Sequence, residues 1–379
     1  MLYFLLLLPF MYCIANAQLL PPKQAYPTTI TQIHSGHSLT DPLFYPNWPG
    51  QYVNLMSGIN NVPAYQLSDK VIGKSTIPGS SLANRWEKGP SNGAPDARLG
   101  IANWELLCIT ERVPLLYEGG STQQWYLDGI IAQRDALSLF VNNAWNNGNG
   151  GKGAPTLLWT TWVSIDSTNG PFRTMLDKQG LEWEKMQDHA NAKRPMGAPP
   201  VYLIPGHKMM ARIYDDILKG KVPGITQINQ LFTDHIHPNE LGAYAIAMIH
   251  YTCIYNKSPL GLPNNLLPNA NASVKIPTKE FAEYVQRIVW EIVTTYERTG
   301  IYSTSSAINE SYEKEIFDVH SANTIIHVYC IERDQYITIS DIRGKILYSG
   351  KDEEIYIGDY PSGFYVISNG KASKSFVKH

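Results

Sequence analysis

The sequence lacks a dominant charge. Its 379 residues include 31 Lys and Arg against 33 Asp and Glu, a formal net charge of −2, and no long basic run occurs. A nucleic-acid partner requires a concentrated positive face, because its phosphates must be neutralised. The composition therefore argues against nucleic-acid binding. With 44% hydrophobic residues, the chain can build one large or two moderate cores.

Cysteine is scarce as well. Of the four cysteines, Cys13 lies in an N-terminal apolar segment, which leaves Cys108, Cys253 and Cys330 far apart in the chain. Three thiols at such spacings provide neither a disulfide framework nor a metal site. We predict that they are buried or partly buried free cysteines.

A long hydrophobic run occurs only at the N-terminus. Residues 2–14 are apolar apart from two tyrosines, and Ala15-Asn16-Ala17 supplies a cleavage site of small residues. This pattern is typical of a secretory signal peptide, and the run is too short for a membrane anchor. We expect residues 1–17 to be removed from a secreted or cell-surface protein, with no transmembrane segment in the mature chain.

Between residues 27 and 302, short apolar runs alternate with helical patterns, which is typical of an α/β domain. The strand candidates are nearly continuously apolar or β-branched, as buried parallel strands are. The predicted strands are Thr28–His34, Glu105–Thr110, Thr156–Trp162 and Val201–Ile204. The predicted helices are Trp125–Asn142, Gly180–Asn191, Lys208–Lys219, Asn239–Tyr255 and Lys279–Thr299, with a flexible surface loop at Asn146–Gly153.

A polar linker at residues 303–312 precedes a tail, residues 313–379, in which the hydrophobic period changes to two. Short alternating segments between turn signals predict a small antiparallel β-sandwich. The tail resembles the C-terminal sorting domain of the type IX secretion system, in Ile339–Lys345, Tyr360–Val366 and Lys374–Lys378. That resemblance implies export across an outer membrane by the type IX machinery, with the tail then removed or used for attachment. An accessory carbohydrate-binding sandwich is the alternative.

A turn follows the first predicted strand, at Ser35-Gly36-His37-Ser38. A serine between a strand and a helix projects its hydroxyl from the carboxyl edge of the sheet, where open α/β folds bind ligands. Gly36 permits the tight turn. However, a serine hydroxyl is a poor nucleophile without a neighbouring base, and a Gly-x-Ser turn alone is more often structural.

The segment Asp234-His235-Ile236-His237-Pro238, far along the chain, offers such a base. If Pro238 is the first helical residue, His237 lies at the mouth of a helix. Asp234 can then accept a hydrogen bond from His237 Nδ1 and leave Nε2 for Ser38. The alternative without catalysis is that Asp234 is an acidic helix cap and His237 is a surface histidine.

A metal site is a further alternative for this segment. His235 and His207 could join the Asp-x-x-His pair as ligands, but no clean ligand spacing supports a closed site. We therefore predict no metal and no cofactor.

Together, Ser38 and Asp234-x-x-His237 resemble the first and last sequence blocks of the SGNH (GDSL-type) hydrolase family. The stretches His237–Tyr244 and Tyr255–Leu262 resemble the end of the bacterial carbohydrate-esterase-like branch of that family. The resemblance covers residues 28–263 and implies a three-layer α/β/α fold with a parallel sheet. It also implies metal-free ester hydrolysis through a Ser-His-Asp triad and an acyl-enzyme.

The middle blocks of the family match less well. The oxyanion hole would comprise the N–H groups of Ser38 and Gly79, but Glu111 stands where the family has an asparagine. Either Glu111 binds a substrate hydroxyl or orders a loop, or Asn84 supplies the missing donor. His37 replaces a frequent aspartate and is a further candidate contact to substrate.

The family branch, the expected export and the many aromatic residues favour short-chain O-acetyl esters on a polysaccharide. A lipase or arylesterase of the same fold is one alternative, although no apolar lid is evident. A noncatalytic glycan-binding surface protein is another, and Glu111 is the feature that favours it. Tryptophans could stack on sugar rings or lie in the core. The tryptophans considered are Trp86, Trp125, Trp159 and Trp162.

Overall fold

The computed structural model divides the chain into two compact units, Met1–Tyr302 and Ser303–His379. In the first unit it describes residues 20–44, 50–68, 70–90, 93–115, 124–267 and 274–302. In the second it describes residues 317–322, 325–330, 336–341, 343–352, 354–368 and 373–378. The expected signal peptide and linker lie outside the described residues.

A five-stranded parallel sheet forms the centre of the first unit, in the order β2-β1-β3-β4-β5. Its strands are short and largely buried, which explains their apolar sequences. The strands are β1 (Gln32–Gly36), β2 (Ile72–Thr76), β3 (Leu106–Ile109), β4 (Thr156–Thr160) and β5 (Tyr202–Pro205).

Helices cover both faces of this sheet. Alternate residues of β3 point to opposite sides, so Leu106 and Cys108 belong to one core and Leu107 and Ile109 to the other. The first core is completed by α1, α6, α7 and α8, and the second by α3, α4 and the end of α5. The helices are α1 (Gln51–Asn60), α2 (Ala64–Leu67), α3 (Leu82–Lys88), α4 (Gln124–Gly151), α5 (Phe172–Lys193), α6 (Gly206–Leu218), α7 (Glu240–Tyr255) and α8 (Lys279–Thr295). The predicted three-layer α/β/α fold is therefore confirmed.

Several predicted boundaries were wrong. The first strand is Gln32–Gly36 rather than Thr28–His34, so the chain turns directly after Gly36. α5 begins at Phe172 rather than Gly180. α8 ends at Thr295, and a separate 3-10 turn, Glu297–Thr299, follows it.

The predicted loop at Asn146–Gly153 is only partly exposed. The backbone leaves helical geometry at Gly148, and the Asn149 N–H donates to the Trp104 carbonyl oxygen at 2.8 Å. Gly153, at φ +96°, has no room for a side chain, because a Cβ would lie 2.7 Å from the Trp145 ring. The segment leads into β4 and so lies at the amino edge of the sheet, away from the turn after β1.

The second unit is built from two small antiparallel sheets, as the change to period two predicts. Ile355 of the three-stranded sheet packs with Ile339 and Ile367 of the four-stranded sheet. The strands are β6 (Phe317–Ala322), β7 (Ile325–Cys330), β8 (Ile337–Asp341), β9 (Ile346–Gly350), β10 (Glu354–Tyr356), β11 (Gly363–Ser368) and β12 (Ser373–Lys378).

The cysteine thiols and the length of the apolar helices were both considered in the sequence analysis. Cys108 and Cys253 are buried and free, as predicted, and the side chain of Cys330 lies outside the described residues. In the part of the chain that the structure describes, no helix combines the length and apolar character needed to cross a membrane.

Candidate active site

The turn after β1 lies at the carboxyl edge of the sheet, between the ends of β2 and β3. In the strand order 2-1-3-4-5, successive strands are added on one side of β1 and then on the other, and this reversal between β1 and β3 opens a crevice at the carboxyl edge. The turn is closed by a hydrogen bond from the Thr40 N–H to the His37 carbonyl oxygen at 2.8 Å. Gly36 is required there, because a Cβ would lie 2.1 Å from Thr40 Oγ1.

Three predicted site residues form a continuous hydrogen-bonded chain at this edge. His237 Nε2 lies 2.9 Å from Ser38 Oγ, and His237 Nδ1 lies 2.7 Å from Asp234 Oδ2. Because a carboxylate can only accept, Nδ1 carries the ring proton and Nε2 is free to accept the serine proton. This arrangement is suited to deprotonate a serine hydroxyl.

Asp234 is held in its charged form. Its second oxygen, Oδ1, accepts the backbone N–H groups of Ile236 at 2.8 Å and His237 at 2.7 Å. Partial burial opposes ionisation, but these bonds and the bond from the His237 ring outweigh it and lower the pKa of Asp234 to about 2. The carboxylate therefore orients His237 at any pH near neutrality.

Hydrogen bonds within the loop and from the segment after β4 hold the loop that carries Asp234 and His237. The Thr233 N–H donates to the His237 carbonyl oxygen at 2.8 Å and closes the loop on itself. From the segment after β4, the Trp162 indole N–H donates to the Ile236 carbonyl oxygen at 3.0 Å. The Ile165 N–H donates to the His235 carbonyl oxygen at 2.8 Å.

The helix after this loop begins differently from the prediction. α7 starts at Glu240, and Asn239, rather than Pro238, marks its N-terminus. The Asn239 side chain accepts the N–H groups of Leu241 at 3.0 Å and Gly242 at 3.3 Å. Asn is a strong capping residue, so the sequence did contain this signal. Pro238 instead pairs with Phe232 in an isolated antiparallel bridge.

Gly79 lies in a turn beside Ser38. The strand register places Thr76 opposite Gly36, and the Ile77 N–H donates to the Gly36 carbonyl oxygen at 3.0 Å. The next residues close a turn through the Ser80 N–H and the Ile77 carbonyl oxygen at 3.2 Å. With Gly79 at φ +67° and a proline before it, this is a type II turn.

The backbone N–H groups of Ser38 and Gly79 are both candidates to donate to a substrate. Within the described parts of the chain, neither N–H has a hydrogen-bond partner. Asn84 follows in the first turn of α3, whose N-cap Ser81 accepts the Asn84 N–H at 3.2 Å. The Asn84 side-chain amide is half-buried and likewise has no partner among the described residues. Three donors are thus available on the β1 and β2 connections.

Glu111 is not a substrate contact. Its side chain is fully buried, and its carboxylate accepts the Leu82 N–H at the start of α3 at 2.8 Å and the N–H of Arg112. Burial, opposed by the nearby charge of Arg85, raises the pKa of Glu111 to about 6. The structure therefore favours the loop-ordering role over the substrate-hydroxyl role, because no solvent or ligand reaches this carboxylate.

His37, which was expected to contact substrate, is instead buried and hydrogen-bonded to other parts of the protein. The ring is 3% exposed; its Nε2 donates to the Glu111 carbonyl oxygen at 2.9 Å, and its Nδ1 accepts the Leu39 N–H at 3.4 Å. Burial and the charge of Arg85 lower the pKa of His37 to about 4. His37 therefore stays neutral and ties the serine turn to the end of β3.

The tryptophans divide between core and surface. Trp159 and Trp162 are 1% and 0% exposed and pack edge to face at 5.9 Å, so neither can stack on a sugar. Both belong to the core on the α7 side of the sheet, where β4 and its following residues are covered. Trp86 is half-buried and packs against Phe140 at 5.0 Å. The side chain of Trp125 lies outside the described residues.

The histidines considered as metal ligands do not come together. His207 is buried, with Nδ1 2.7 Å from Thr160 Oγ1, whereas His235 is exposed. Across the described ranges, no group of three His, Cys, Asp or Glu side chains is placed to hold a metal ion.

Arg85 is a residue of this site that the sequence did not reveal. It lies on α3, is 2% exposed, and its guanidinium contacts segments next to Ser38, Gly79 and Glu111. A lone arginine in a helical pattern gives no local signal of such a role, because its acceptors come from other elements.

No protein-family model and no curated protein matches the chain. Among solved structures, the chain is similar to a DUF4886 family protein from Bacteroides uniformis, with 13% identity, a TM-score of 0.46, and coverage of 73% of this chain and 98% of that chain. It is similar to TesA with 15% identity, a TM-score of 0.34, and coverage of 58% and 96%. It is also similar to a mutant of Axe2, an acetyl-xylooligosaccharide esterase from Geobacillus Stearmophilus, with 14% identity, a TM-score of 0.38, and coverage of 62% and 97%.

Proposed function

We propose that the chain is a serine esterase that hydrolyses short-chain esters, namely O-acetyl groups on a polysaccharide, with Ser38 as nucleophile. The observation that carries the proposal is the relay from Ser38 through His237 to Asp234, with distances of 2.9 and 2.7 Å. Serine, histidine and carboxylate in this order are the residue types that activate a hydroxyl for acyl transfer.

In the proposed mechanism, His237 Nε2 takes the Ser38 hydroxyl proton as Oγ forms a bond to the ester carbonyl carbon. The carbonyl electron pair moves onto oxygen and gives a tetrahedral oxyanion. The bond to the alcohol oxygen then breaks, and His237 returns its proton to that oxygen, which leaves acyl-Ser38. Water then attacks the acyl carbon as His237 takes one of its protons. The bond from the acyl carbon to Ser38 Oγ breaks, His237 returns the proton to Oγ, and the carboxylic acid leaves.

The oxyanion is proposed to accept hydrogen bonds from the N–H groups of Ser38 and Gly79 and from the side chain of Asn84. The support is that these donors have no partner among the described residues and lie on adjacent connections at the carboxyl edge. Donors that are already oriented stabilise a developing charge more than the neutral carbonyl, and each lowers the activation barrier by about 3 kcal/mol.

The polysaccharide assignment is supported by access to the site and by the resemblance to carbohydrate esterases. His237 and Asp234 expose 39% and 45% of their side-chain surfaces, so no described residue fully covers them and a polymer can reach them. Trp86 keeps part of its surface open and is the proposed sugar-stacking residue of the tryptophans described. Secretion through the type IX machinery is proposed from the N-terminal segment and the sorting-domain stretches of the tail.

The test is hydrolysis of p-nitrophenyl acetate, butyrate and octanoate by the full chain and by Ser38→Ala, with circular dichroism to establish that the variant is folded. We expect acetate to give the highest kcat/KM and Ser38→Ala to give no turnover above the uncatalysed rate. Preference for octanoate would replace the proposal with a lipase, and binding of glycan without turnover would replace it with a noncatalytic protein.

The natural substrate class is tested next with polymers. We expect release of acetate from acetylated xylan or acetylated pectin by the wild-type protein and none by Ser38→Ala. Hydrolysis of p-nitrophenyl acetate without release of acetate from any acetylated polysaccharide would contradict the polysaccharide part of the proposal and leave the esterase part intact.

A further inference from the structure

The Arg85 guanidinium makes four hydrogen bonds in a buried position beneath the candidate site. Nε donates to Ser35 Oγ at 3.2 Å, and Nη1 donates to Ser80 O at 2.8 Å and to Ser80 Oγ at 2.9 Å. Nη2 donates to the Thr110 carbonyl oxygen. A planar group with five donors suits three acceptor residues that converge from different directions.

These acceptors belong to three different strands and their connections. Ser35 lies in β1, three residues before the nucleophile, and Ser80 follows Gly79 on the connection after β2. Thr110 follows β3, and its own N–H donates to the Ser35 carbonyl oxygen at 3.1 Å. One side chain therefore fastens together the ends of the three strands that surround the crevice.

We propose that Arg85 is a positioning residue for acyl transfer, which holds the Gly79 turn so that its N–H faces the oxyanion formed at Ser38. This inference rests on the proposed esterase function. The role is positioning and not donation to the oxyanion, because the third donor is assigned to Asn84 and the end of β3 carries Glu111, which is a buried support.

The reason that the turn needs an anchor lies in its geometry. In a turn with glycine at the third position, the peptide unit before the glycine can rotate by about 180°, which interconverts the type I and type II forms. Such a rotation would point the Gly79 N–H away from the site. The bonds from Arg85 to both the carbonyl and the hydroxyl of Ser80 fix the residue after the glycine and oppose this rotation.

Glu111 completes the support by providing the opposite charge. A buried guanidinium without a counter-charge is costly, and burial lowers the pKa of Arg85 to about 10 while Glu111 opposes that shift. The same carboxylate accepts the Leu82 N–H at the start of the helix that carries Arg85. The other titratable groups that face the Glu111 carboxyl group or its carbonyl are Arg112 and His37.

The test compares Arg85→Lys, Arg85→Met and Ser80→Ala in the full chain with two matched controls. Arg212→Met removes another guanidinium that joins elements, because Arg212 pairs with Asp216 within α6 at 2.7 Å and with Glu291 of α8 at 2.7 Å. Ser138→Ala removes a buried hydroxyl whose one bond among the described residues is within its own helix, to the Arg134 carbonyl oxygen at 3.2 Å. The measurements are kcat and KM for p-nitrophenyl acetate and the thermal midpoint Tm.

We expect Arg85→Lys to lower kcat about 10-fold or more and Ser80→Ala to lower it about 3- to 10-fold, with KM within about 2-fold of wild type. Arg85→Lys keeps the positive charge but loses the planar guanidinium with its several donors. A fall in kcat in this variant therefore measures the loss of the hydrogen-bond geometry and not the loss of the charge. The two control variants should have a lower Tm with unchanged kcat and KM. If Arg85 had only a structural role, the Arg85 variants would show this same pattern.

The inference is overturned if folded Arg85→Lys and Ser80→Ala keep kcat within about 2-fold of wild type, or if the controls lose kcat equally. If Arg85→Met or Arg85→Lys does not fold, Ser80→Ala is read alone. It removes the bond from Arg85 and the bond from the Ser80 hydroxyl to the Ile77 carbonyl oxygen at 2.7 Å, so an unchanged kcat in this variant overturns the inference. Failure of the esterase proposal is recognised separately, because the wild-type protein itself would then show no Ser38-dependent turnover.

Discussion

His237 Nε2 lies 2.9 Å from Ser38 Oγ, although 199 residues separate the two in the sequence. The contact exists because Ser38 leaves the end of β1 and His237 lies just before α7, and both positions are at the carboxyl edge of one parallel sheet. Neither residue has the other as a local neighbour, so only the fold brings a base to this hydroxyl.

Replacing Asp234 by asparagine should lower kcat about 10²- to 10⁴-fold while the protein stays folded. An amide in place of the carboxylate no longer stabilises the charged ring and favours the wrong tautomer of His237. Asp166→Asn is the matched control, since this exposed aspartate accepts hydrogen bonds from the Thr168 hydroxyl at 2.5 Å and the Thr168 N–H at 3.0 Å and bonds to no other side chain among the described residues. Steady-state kinetics with p-nitrophenyl acetate check this, and wild-type kcat in Asp234→Asn would contradict the triad.

Gly79→Ala should lower kcat/KM about 10-fold, whereas Gly150→Ala should leave it unchanged. Both glycines have left-handed backbones, at φ +67° and +61°, and nothing lies within 4 Å of an added Cβ at either position. Each variant should therefore lose about 1 kcal/mol of stability from backbone strain. Only the Gly79 variant should relieve that strain by turning its N–H out of the site. Equal activity of the two variants would remove Gly79 from the oxyanion hole.

Trp162→Phe should reduce kcat several-fold, and Trp159→Phe should not. The two indoles are equally buried, but Trp162 Nε1 donates to the Ile236 carbonyl oxygen at 3.0 Å, whereas Trp159 Nε1 has no partner among the described residues. The lost bond contributes about 1 kcal/mol and holds the loop that carries Asp234 and His237. Kinetics and urea unfolding of both variants test this. Equal kcat in the two variants would show that the loop needs no such anchor.

The free energy of unfolding should fall as the pH is lowered from about 6.5 toward 4. Burial lowers the pKa of His250 to about 4 and that of His207 to about 3, so these rings stay neutral in the folded protein and take up protons once it unfolds. Their contribution is complete above the ordinary histidine pKa of about 6.5 and is lost as the pH falls through the folded values. Glu111, with its raised pKa, acts in the opposite sense between about pH 4.5 and 6.

His250→Gln isolates one of these groups. The variant should reduce the slope of unfolding free energy against pH in this window by up to about 1.4 kcal/mol per pH unit, the value for one proton. Urea unfolding at several pH values measures the slope independently of any overall loss of stability. An unchanged slope would mean that folding does not lower the pKa of His250.

The α/β class could be predicted because β3, β4 and β5 are buried strands with continuous apolar sequences. β2 was missed because its sequence, Ile72-Gly73-Lys74-Ser75-Thr76, is neither apolar nor alternating. The structure explains both unusual residues. A Cβ on Gly73 would lie 2.4 Å from the Trp104 ring, and Lys74 forms an ion pair with Asp41 at 3.0 Å at the edge of the sheet.

The contacts among Ser38, His237 and Asp234 could be predicted because their spacing and residue types are visible in the sequence, whereas the residues that support them could not. Glu111 had several possible roles until its partner, the Leu82 N–H, was located 29 positions away. Arg85 gave no signal because its acceptors lie in β1 and in the connections that follow β2 and β3. By sequence, Trp159 and Trp162 could either stack on a sugar or pack in the core. They pack in the core because helices cover β4 and the residues after it.

The central claim is that Ser38 is a nucleophile activated by His237, and covalent labelling tests it most directly. The full chain would be treated with a fluorophosphonate, and the modified residue would be identified by mass spectrometry in wild type, Ser38→Ala and His237→Gln. We predict a single adduct on Ser38, absent from Ser38→Ala and formed at least about 100-fold more slowly in His237→Gln. Labelling of Ser38 at the same rate in His237→Gln, or no labelling of Ser38 in a folded wild-type protein, would contradict the account.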